Sequence, residues 1–343
     1  MGSLILIRAD ANETIGTGHV MRCLSIAEEF QRLGGKVKFI IADDRSRPMI
    51  ENKGFETICL NSKWDNLDFE TEKLVGTLQN NNAENLLIDS YFVTAPYLKQ
   101  LSKHIFTAYI DDMYSFAYPV HLLINYNFYA DIETYQNLYQ SAEIKPQFLL
   151  GCDYAPLRKE FSNVRKEIHP HITKILITSG GTDRYNVAGQ LLERFLSEER
   201  YCNIDFYVVL GRFNSNIEAL QSMYGNHRNI HFLINIPDMD RYMKLCDIAI
   251  TAGGTTTYEL FASGIPSIMY TLADNQLDIA KKVSALGLIP WAGDVRKDMT
   301  LCIDNILKWI DIYLSDYQMR KEISAKMQSY IDGKGAGRIA MQL

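Results

Sequence analysis

His19 stands where a phosphate-binding turn is expected. The stretch RADANETIGTGHVMRC (8–23) follows a short apolar run, Leu4 to Ile7, and carries Gly16 and Gly18, then His19, then Arg22. Glycine lets the backbone turn tightly and lets a ligand approach the peptide N–H groups. A helix is expected to begin near Val20, which puts His19 at its first turn. There the unpaired N–H groups and the helix dipole disfavour positive charge on the ring. A neutral imidazole near pH 7 is what a general base requires, and its free nitrogen would deprotonate a water. Asp10, at the end of the preceding strand, is the expected partner of the other nitrogen, fixing the tautomer. His104, His121, His169, His171, His227 and His231 sit on no glycine turn and are read as structural.

Two further places repeat the order strand, glycine pair, helix: Gly180-Gly181 and Gly253-Gly254. In doubly wound sheets such turns sit at the carboxyl ends of strands, where ligands bind. The first turn imitates a dinucleotide fingerprint and fails it. Met21 stands where the third glycine belongs, although Asp43 and Asp44 lie at the distance of a ribose acid. No P-loop, G-x-S-x-G elbow or HExxH helix occurs. In DIAITAGGTTTYELFASGIPSIMY (247–270), a strand ends in two glycines and three threonines, Thr255 to Thr257, before a helix. Threonine hydroxyls and first-turn N–H groups suit a diphosphate. Glu259, one turn further in, is placed to accept two hydrogen bonds from a ribose diol. Asn275 and Gln276, at the next helix start, either aim amides at phosphate or sugar or belong to a plain N-cap.

The elements that must position these residues alternate along the chain. Buried strands are expected at 4–7, 36–42, 56–60, 85–89, 106–111 and 121–125, with helices at 20–33, 66–81 and 94–103. Near-continuous apolar strands covered by helices mean a parallel sheet. A polar stretch at 156–174 follows, and then the pattern restarts. Strands are expected at 174–181, 204–211, 230–235, 248–254 and 266–270, and helices at 186–199, 215–224, 238–246, 256–263 and 275–286. A helical tail occupies about 298–332. The fold class expected is α/β, with two doubly wound Rossmann-like domains, 1–156 and 157–343, facing each other across a cleft into which all three glycine turns open.

Composition excludes several classes. The chain has 343 residues, 47% hydrophobic, enough for two cores. A net charge of −6 with dispersed Lys and Arg leaves no electrostatic footprint for nucleic acid. The six cysteines stand singly, without zinc-ligand spacing or a disulfide framework, which fits a reducing cytoplasm. No apolar run approaches the roughly 20 residues that span a bilayer, and no export signal is read, so no membrane partner is expected. No metal or cofactor is called for, and nothing sets an oligomeric state.

With these segments in view, the chain resembles the UDP-2,4-diacetamido-2,4,6-trideoxy-β-L-altropyranose hydrolases of pseudaminic acid synthesis. That family is often labelled spore-coat polysaccharide proteins in Gram-positives and is related to the UDP-GlcNAc transferase that makes lipid II. The resemblance covers about residues 4–285 and rests on RADANETIGTGHVMRCLSIA (8–27), LLIDSY (86–91), YIDD (109–112), LLINYN (122–127), GCDYAPLRKEF (151–161), ITSGGTDRYN (177–186), TAGGTTTYEL (251–260) and DNQ (274–276). It implies a GT-B-type fold and a metal-independent hydrolase whose water attacks the anomeric carbon with C–O cleavage and inversion. It implies that His19 is the general base, that Tyr91 lies near the anomeric centre and that Glu259 binds ribose. Gly180, Gly181, Thr255, Thr256 and Asn275 fall in stretches that line the nucleotide and diphosphate, and Ile236 falls in the loop that reads uracil. Gly16, Gly18, Arg22, Asn275 and Gln276 are expected at the sugar, with Tyr91, Asp111, Asn125 and Asn127 around its substituents. The chain departs from some members in TAGGTTT, where they carry serine, and in IDSYF, where IDHYG occurs. Three other readings stay open: a UDP-sugar-dependent GT-B transferase with an alcohol acceptor, a non-catalytic nucleotide-sugar-binding protein, and a hydrolysing 2-epimerase. The last would carry several carboxylates near the glycine turns, and no such set is visible.

Overall fold

The structure is a computed structural model that describes residues 3–164, 166–211, 214–236 and 238–343. The chain divides into two units, Met1–Lys159 with Gly333–Leu343, and Glu160–Asp332.

The first unit is built on seven parallel strands: β1 (Leu4–Ala9), β2 (Lys36–Ile41), β3 (Glu56–Cys59), β4 (Asn85–Asp89), β5 (Phe106–Ile110), β6 (Leu122–Asn125) and β7 (Gln147–Leu150). They lie in the order β3-β2-β1-β4-β5-β6-β7. The apolar runs form central strands because both faces are covered: Ile5, Leu6, Ile7, Leu86, Leu87 and Ile88 are fully buried. Each such side chain contributes roughly 1.5–3 kcal/mol of transfer free energy. The strand order reverses at β1, which pairs with β2 on one side and β4 on the other. Register places Ala9 level with Asp89. The chain leaving β1 therefore emerges beside the end of β4, at the switch point where ligands bind in this architecture. The six expected strands are present, and β7, whose apolar core is only Phe148 to Leu150, is an addition at the sheet edge.

The second unit has six parallel strands: β8 (Lys174–Thr178), β9 (Asp205–Leu210), β10 (Ile230–Ile234), β11 (Ile248–Ala252), β12 (Ser267–Thr271) and β13 (Trp291–Asp294). Their order is β10-β9-β8-β11-β12-β13. Its switch point lies between β8 and β11, so Gly180-Gly181 and Gly253-Gly254 follow the two strands that flank it. β13 holds Gly293 at φ 138°, and a glycine inside so short a strand hides it from pattern reading.

The expected boundary after residue 156 falls instead after Lys159. The tail also differs from expectation. Met299–Ser315 and Tyr317–Tyr330 belong to the second unit, but the helix Gly335–Ala340 packs in the first, against the helix Gly18–Arg32. Gly335 also lets its helix lie close against the segment Tyr154–Ala155. A Cβ on Gly335 would lie 2.5 Å from both Ala155 N and Tyr154 C, and closer still to the Ala155 carbonyl oxygen. No described helix is long and apolar enough to cross a membrane.

Gly335→Ala drives a methyl into backbone that cannot rotate away and should cost about 1–3 kcal/mol. At Gly337 the nearest atom is Glu29 Oε2 at 3.3 Å, the end of a flexible side chain. Thermal unfolding should show a clear fall in Tm for Gly335→Ala and little change for Gly337→Ala; equal shifts contradict the packing described.

Candidate active site

The loop after β1 is folded by its own polar groups. Asn12 Oδ1 accepts the N–H groups of Thr14 (2.9 Å) and Ile15 (3.0 Å). The Gly16 N–H donates to the Asn12 carbonyl at 2.8 Å, and Gly16 holds φ 73°. This tight hairpin delivers the chain into the helix Gly18–Arg32, whose start carries no side-chain cap. His19 sits in the first turn, 4% exposed.

Its partner is Asp89, the last residue of β4, at 2.6 Å from Nδ1 to Oδ1. Asp10 does not fill the place expected for it. Asp10 Oδ1 accepts the Ala42 N–H at 2.8 Å, and Oδ2 accepts from Arg8. Arg8 in turn reaches Glu70 through Nε at 2.6 Å. Ala42 follows β2, so Asp10 is drawn to the β2 side of β1, whereas His19 turns toward β4.

Arg22, one turn after His19, completes the cluster. Its Nε donates to Asp89 Oδ2 (2.5 Å) and its Nη2 to Asp89 Oδ1 (2.5 Å) and Asp112 Oδ2 (2.8 Å). Nη1 donates to the Tyr126 hydroxyl at 2.6 Å. Asp89, Asp112 and Tyr126 stand at or just beyond the ends of β4, β5 and β6, so three adjacent strands converge on one guanidinium. Arg22, expected at the sugar, is 7% exposed and turned to these partners. Burial alone would raise the Asp89 carboxyl, but Arg22 and His19 overcome it and hold the group well below the usual carboxylate range.

Arg22 has no lone pair to offer, and an ionised Asp89 only accepts. The Arg22 Nη2 protons lie nearer to the two carboxylates than to His19 Nδ1, which is 3.2 Å away. His19 Nδ1 is therefore the donor to Asp89. Nε2 accepts nothing from the described residues and is not among their enclosed, unpartnered atoms. Tyr91, exposed, stands edge-on to the ring at a centroid separation of 4.4 Å. Asp111 and Asn125, expected around the sugar, are fully buried: Asp111 takes the hydroxyls of Tyr118 and Tyr135, and Asn125 donates to Tyr135. Asn127 is 7% exposed and donates to Asp112 at 2.9 Å.

In the second unit the two glycine turns differ. Gly180, at φ 76°, and Gly181 are approached so closely by Gly211 that a Cβ there would meet Gly180 O at 2.5 Å. The helix after this turn, Val187–Ser197, is already capped: Asp183 accepts the N–H groups of Val187 (2.9 Å) and Ala188 (3.0 Å). The helix after Gly253-Gly254, Thr256–Ser263, has no side-chain cap, and the buried Thr257 Oγ1 has no partner among the described residues. Thr255 is exposed and Thr256 half-buried at that start, with Glu259 half-buried one turn in. In this first turn the Thr257 N–H donates to the Gly254 carbonyl at 3.0 Å and the Tyr258 N–H to the Thr255 carbonyl at 3.1 Å, so the turn differs from the other in its threonine hydroxyls and in lacking a capping carboxylate. Asn275 is exposed just after β12, whereas Gln276 Oε1 accepts the Leu272 N–H at 2.9 Å and closes its own loop. Ile236 is half-buried after the edge strand β10, and its neighbour Pro237 lies outside the described residues.

Asp89, Asp112 and Tyr126 are the residues that sequence reasoning passed over. Their signal was a polar side chain ending each of three neighbouring apolar strands, in LLIDSY, YIDD and LLINYN.

No family model matches the chain. An uncharacterized protein of Methanocaldococcus jannaschii is 28% identical over 302 residues, 83% of this chain and 60% of that protein. The spore coat polysaccharide biosynthesis protein SpsG of Bacillus subtilis is 24% identical over 55% of this chain and 56% of its own length. The chain thus spans less than two thirds of either. The UDP-2,4-diacetamido-2,4,6-trideoxy-β-L-altropyranose hydrolase of Campylobacter jejuni is 24% identical over 275 residues, 78% of this chain and 91% of that protein. These relatives bear out the resemblance read from the sequence. Among solved structures, MurG of Acinetobacter baumannii superposes with a TM-score of 0.68 at 14% identity, covering 100% of this chain and 99% of that one. The glycosyltransferase SnogD of Streptomyces nogalater gives 0.59 at 12%, covering both chains fully. The GT-B fold class is borne out by these neighbours, and at such identities they speak for the fold alone.

The depressed Asp89 group carries a pH signature. Its unfolded value lies near 3.9, so the ionised form stabilises the fold above about pH 4, and that contribution is lost as pH falls through the lower folded value. Urea unfolding from pH 6 downward should show stability falling below about pH 4. Asp89→Asn should start less stable and fall less steeply; an unchanged acid slope in the variant contradicts the assignment.

Proposed function

We propose that this chain is an inverting hydrolase that releases UDP from a UDP-2,4-diacetamido-2,4,6-trideoxy sugar, in the synthesis of a pseudaminic-type acid. The observation that carries the reading is His19: its Nδ1 is engaged by Asp89, its Nε2 accepts nothing from the described residues, and it stands beside Tyr91. The hydrolase named in Campylobacter jejuni supplies the substrate class.

In this reading His19 Nε2 takes a proton from water. The water oxygen forms a bond to the anomeric carbon as the C–O bond to phosphate breaks, and that electron pair leaves with UDP. The proton on His19 returns to solvent. UDP is a good leaving group, so the charge appearing on its β-phosphate needs neutral donors more than an acid. The positive dipole end of the helix Thr256–Ser263, the hydroxyls of Thr255 and Thr256, and the Asn275 amide are assigned to that charge. Glu259 is assigned to the ribose diol, Ile236 to uracil, Gly180 and Gly181 to close backbone approach by the nucleotide, and Gly16 and Gly18 to the same approach at the sugar. No step is assigned to a metal.

A glycosyltransferase reading has one observation in its favour, the likeness to solved glycosyltransferases. The purified chain incubated with UDP-sugars of this class, in water and without acceptor, separates the two. NMR should record UDP and free sugar of inverted anomeric configuration. His19→Ala should lower kcat by roughly 10²–10⁴-fold with UDP binding nearly unchanged. Full turnover by that variant refutes the base, and release of sugar only when an alcohol is supplied refutes the hydrolase.

A further inference from the structure

We propose that Asp89 is the positioning residue of His19, and that Arg22, itself clamped by Asp112 and Tyr126, keeps Asp89 ionised for that role. The inference rests on the hydrolase reading for its kinetic consequence and stands on geometry alone for its structural one.

Asp89 is 1% exposed. A carboxylate this deep persists only where donors and positive charge replace water. Arg22 supplies both, with one N–H to each carboxylate oxygen. That pair alone would satisfy Asp89, so the bond from His19 Nδ1 is an addition to a structural ion pair rather than the reason for it. Its effect is on the ring. With Nδ1–H fixed on Asp89, Nε2 keeps its lone pair, and the ring cannot rotate to present the other nitrogen without breaking the 2.6 Å bond.

The charges point the same way. Arg22 faces two carboxylates, Asp89 and Asp112, at 2.5 and 2.8 Å. The neighbouring Cys23 thiol, which donates to Asp89 Oδ2 at 3.6 Å, is pushed up by burial and by Asp89, so it adds no competing charge. The cluster thus holds one more carboxylate than cation until His19 gains a proton. An imidazolium formed as water is deprotonated completes the balance, which favours the proton transfer. Tyr126 and Asn127 hold the far side: the Tyr126 hydroxyl accepts from Arg22 Nη1, and Asn127 donates to Asp112 Oδ1. The device therefore spans the ends of β4, β5 and β6, and it does not include Asp10.

An asparagine at position 89 cannot reproduce it. Its amide NH2 must face either Arg22, donor against donor, or His19 Nδ1, which forces the proton onto Nε2 and removes the base.

The test reads the tautomer and the kinetics separately. Long-range ¹H–¹⁵N spectra of the ¹⁵N-histidine-labelled chain, with His19 assigned by comparison with His19→Gln, should show the Nδ1–H tautomer without substrate at pH 7–8. A dominant Nε2–H form in the folded wild type overturns the proposal and needs no variant. In Asp89→Asn the Nδ1–H signature should be lost and kcat should fall about 10²–10⁴-fold, with KM changed less than about threefold. Retention of both the Nδ1–H form and full kcat overturns it. Arg22→Lys, which keeps the charge but loses the two-point grip, should show a smaller loss of kcat and a partly retained tautomer; a variant indistinguishable from wild type in both readouts removes Arg22 from the device. If the wild type hydrolyses none of the sugars, the function proposed above fails while the tautomer measurement still decides the role of Asp89.

Discussion

A carboxylate shut away from water sets terms for everything near it. Asp89 ends a strand whose Leu86, Leu87 and Ile88 are fully buried, and its charge is met by a guanidinium whose own position is fixed from β5 and β6. That requirement explains why the helix Gly18–Arg32 carries His19 and Arg22 three residues apart: both then lie on one face, over one acceptor. It also explains why Asn12 and Gly16 must fold the preceding loop so tightly. A looser loop would start the helix elsewhere along the end of β4, and the two donors would miss.

The second unit treats the same problem, unpaired N–H groups at a helix start, in two ways. Asp183 satisfies one helix permanently with a carboxylate from its own loop. The other is left with threonines and no cap. There the Thr257 and Tyr258 N–H groups turn to the Gly254 and Thr255 carbonyls, and threonine hydroxyls stand where the first helix has a carboxylate, a distinction that two glycine pairs in a sequence do not display.

The strands were legible because a parallel sheet covered on both faces demands continuous apolar runs, and LILI, NLLID and IAITA have no other stable place. β7 and β13 were not, since QFLL and WAGD are short edge strands with too few apolar residues to announce themselves. His19 was legible from its place after Gly16 and Gly18. Its partner was misread, because Asp10 is nearest in the chain whereas Asp89 is nearest in space. Strand order decides between them, and order is a long-range property: β4 pairs with β1 across some eighty residues of sequence. The partners of Arg22 were hidden for a related reason: the acids that hold it come from strands whose adjacency no local pattern reveals.

The return of Gly335–Ala340 to the first unit has a bearing on how the chain is made. Synthesis proceeds from the amino end, and domains tend to fold as they emerge. The first 159 residues can form their sheet early, yet the outer side of the helix that holds His19 waits for a segment made after the whole second unit. Until Gly333–Leu343 leave the ribosome, that helix has a bare flank. The end of the first unit that carries His19 is thus buttressed only after the second unit has been made, and a nascent chain cut short before Gly333 would present that histidine on an incomplete support.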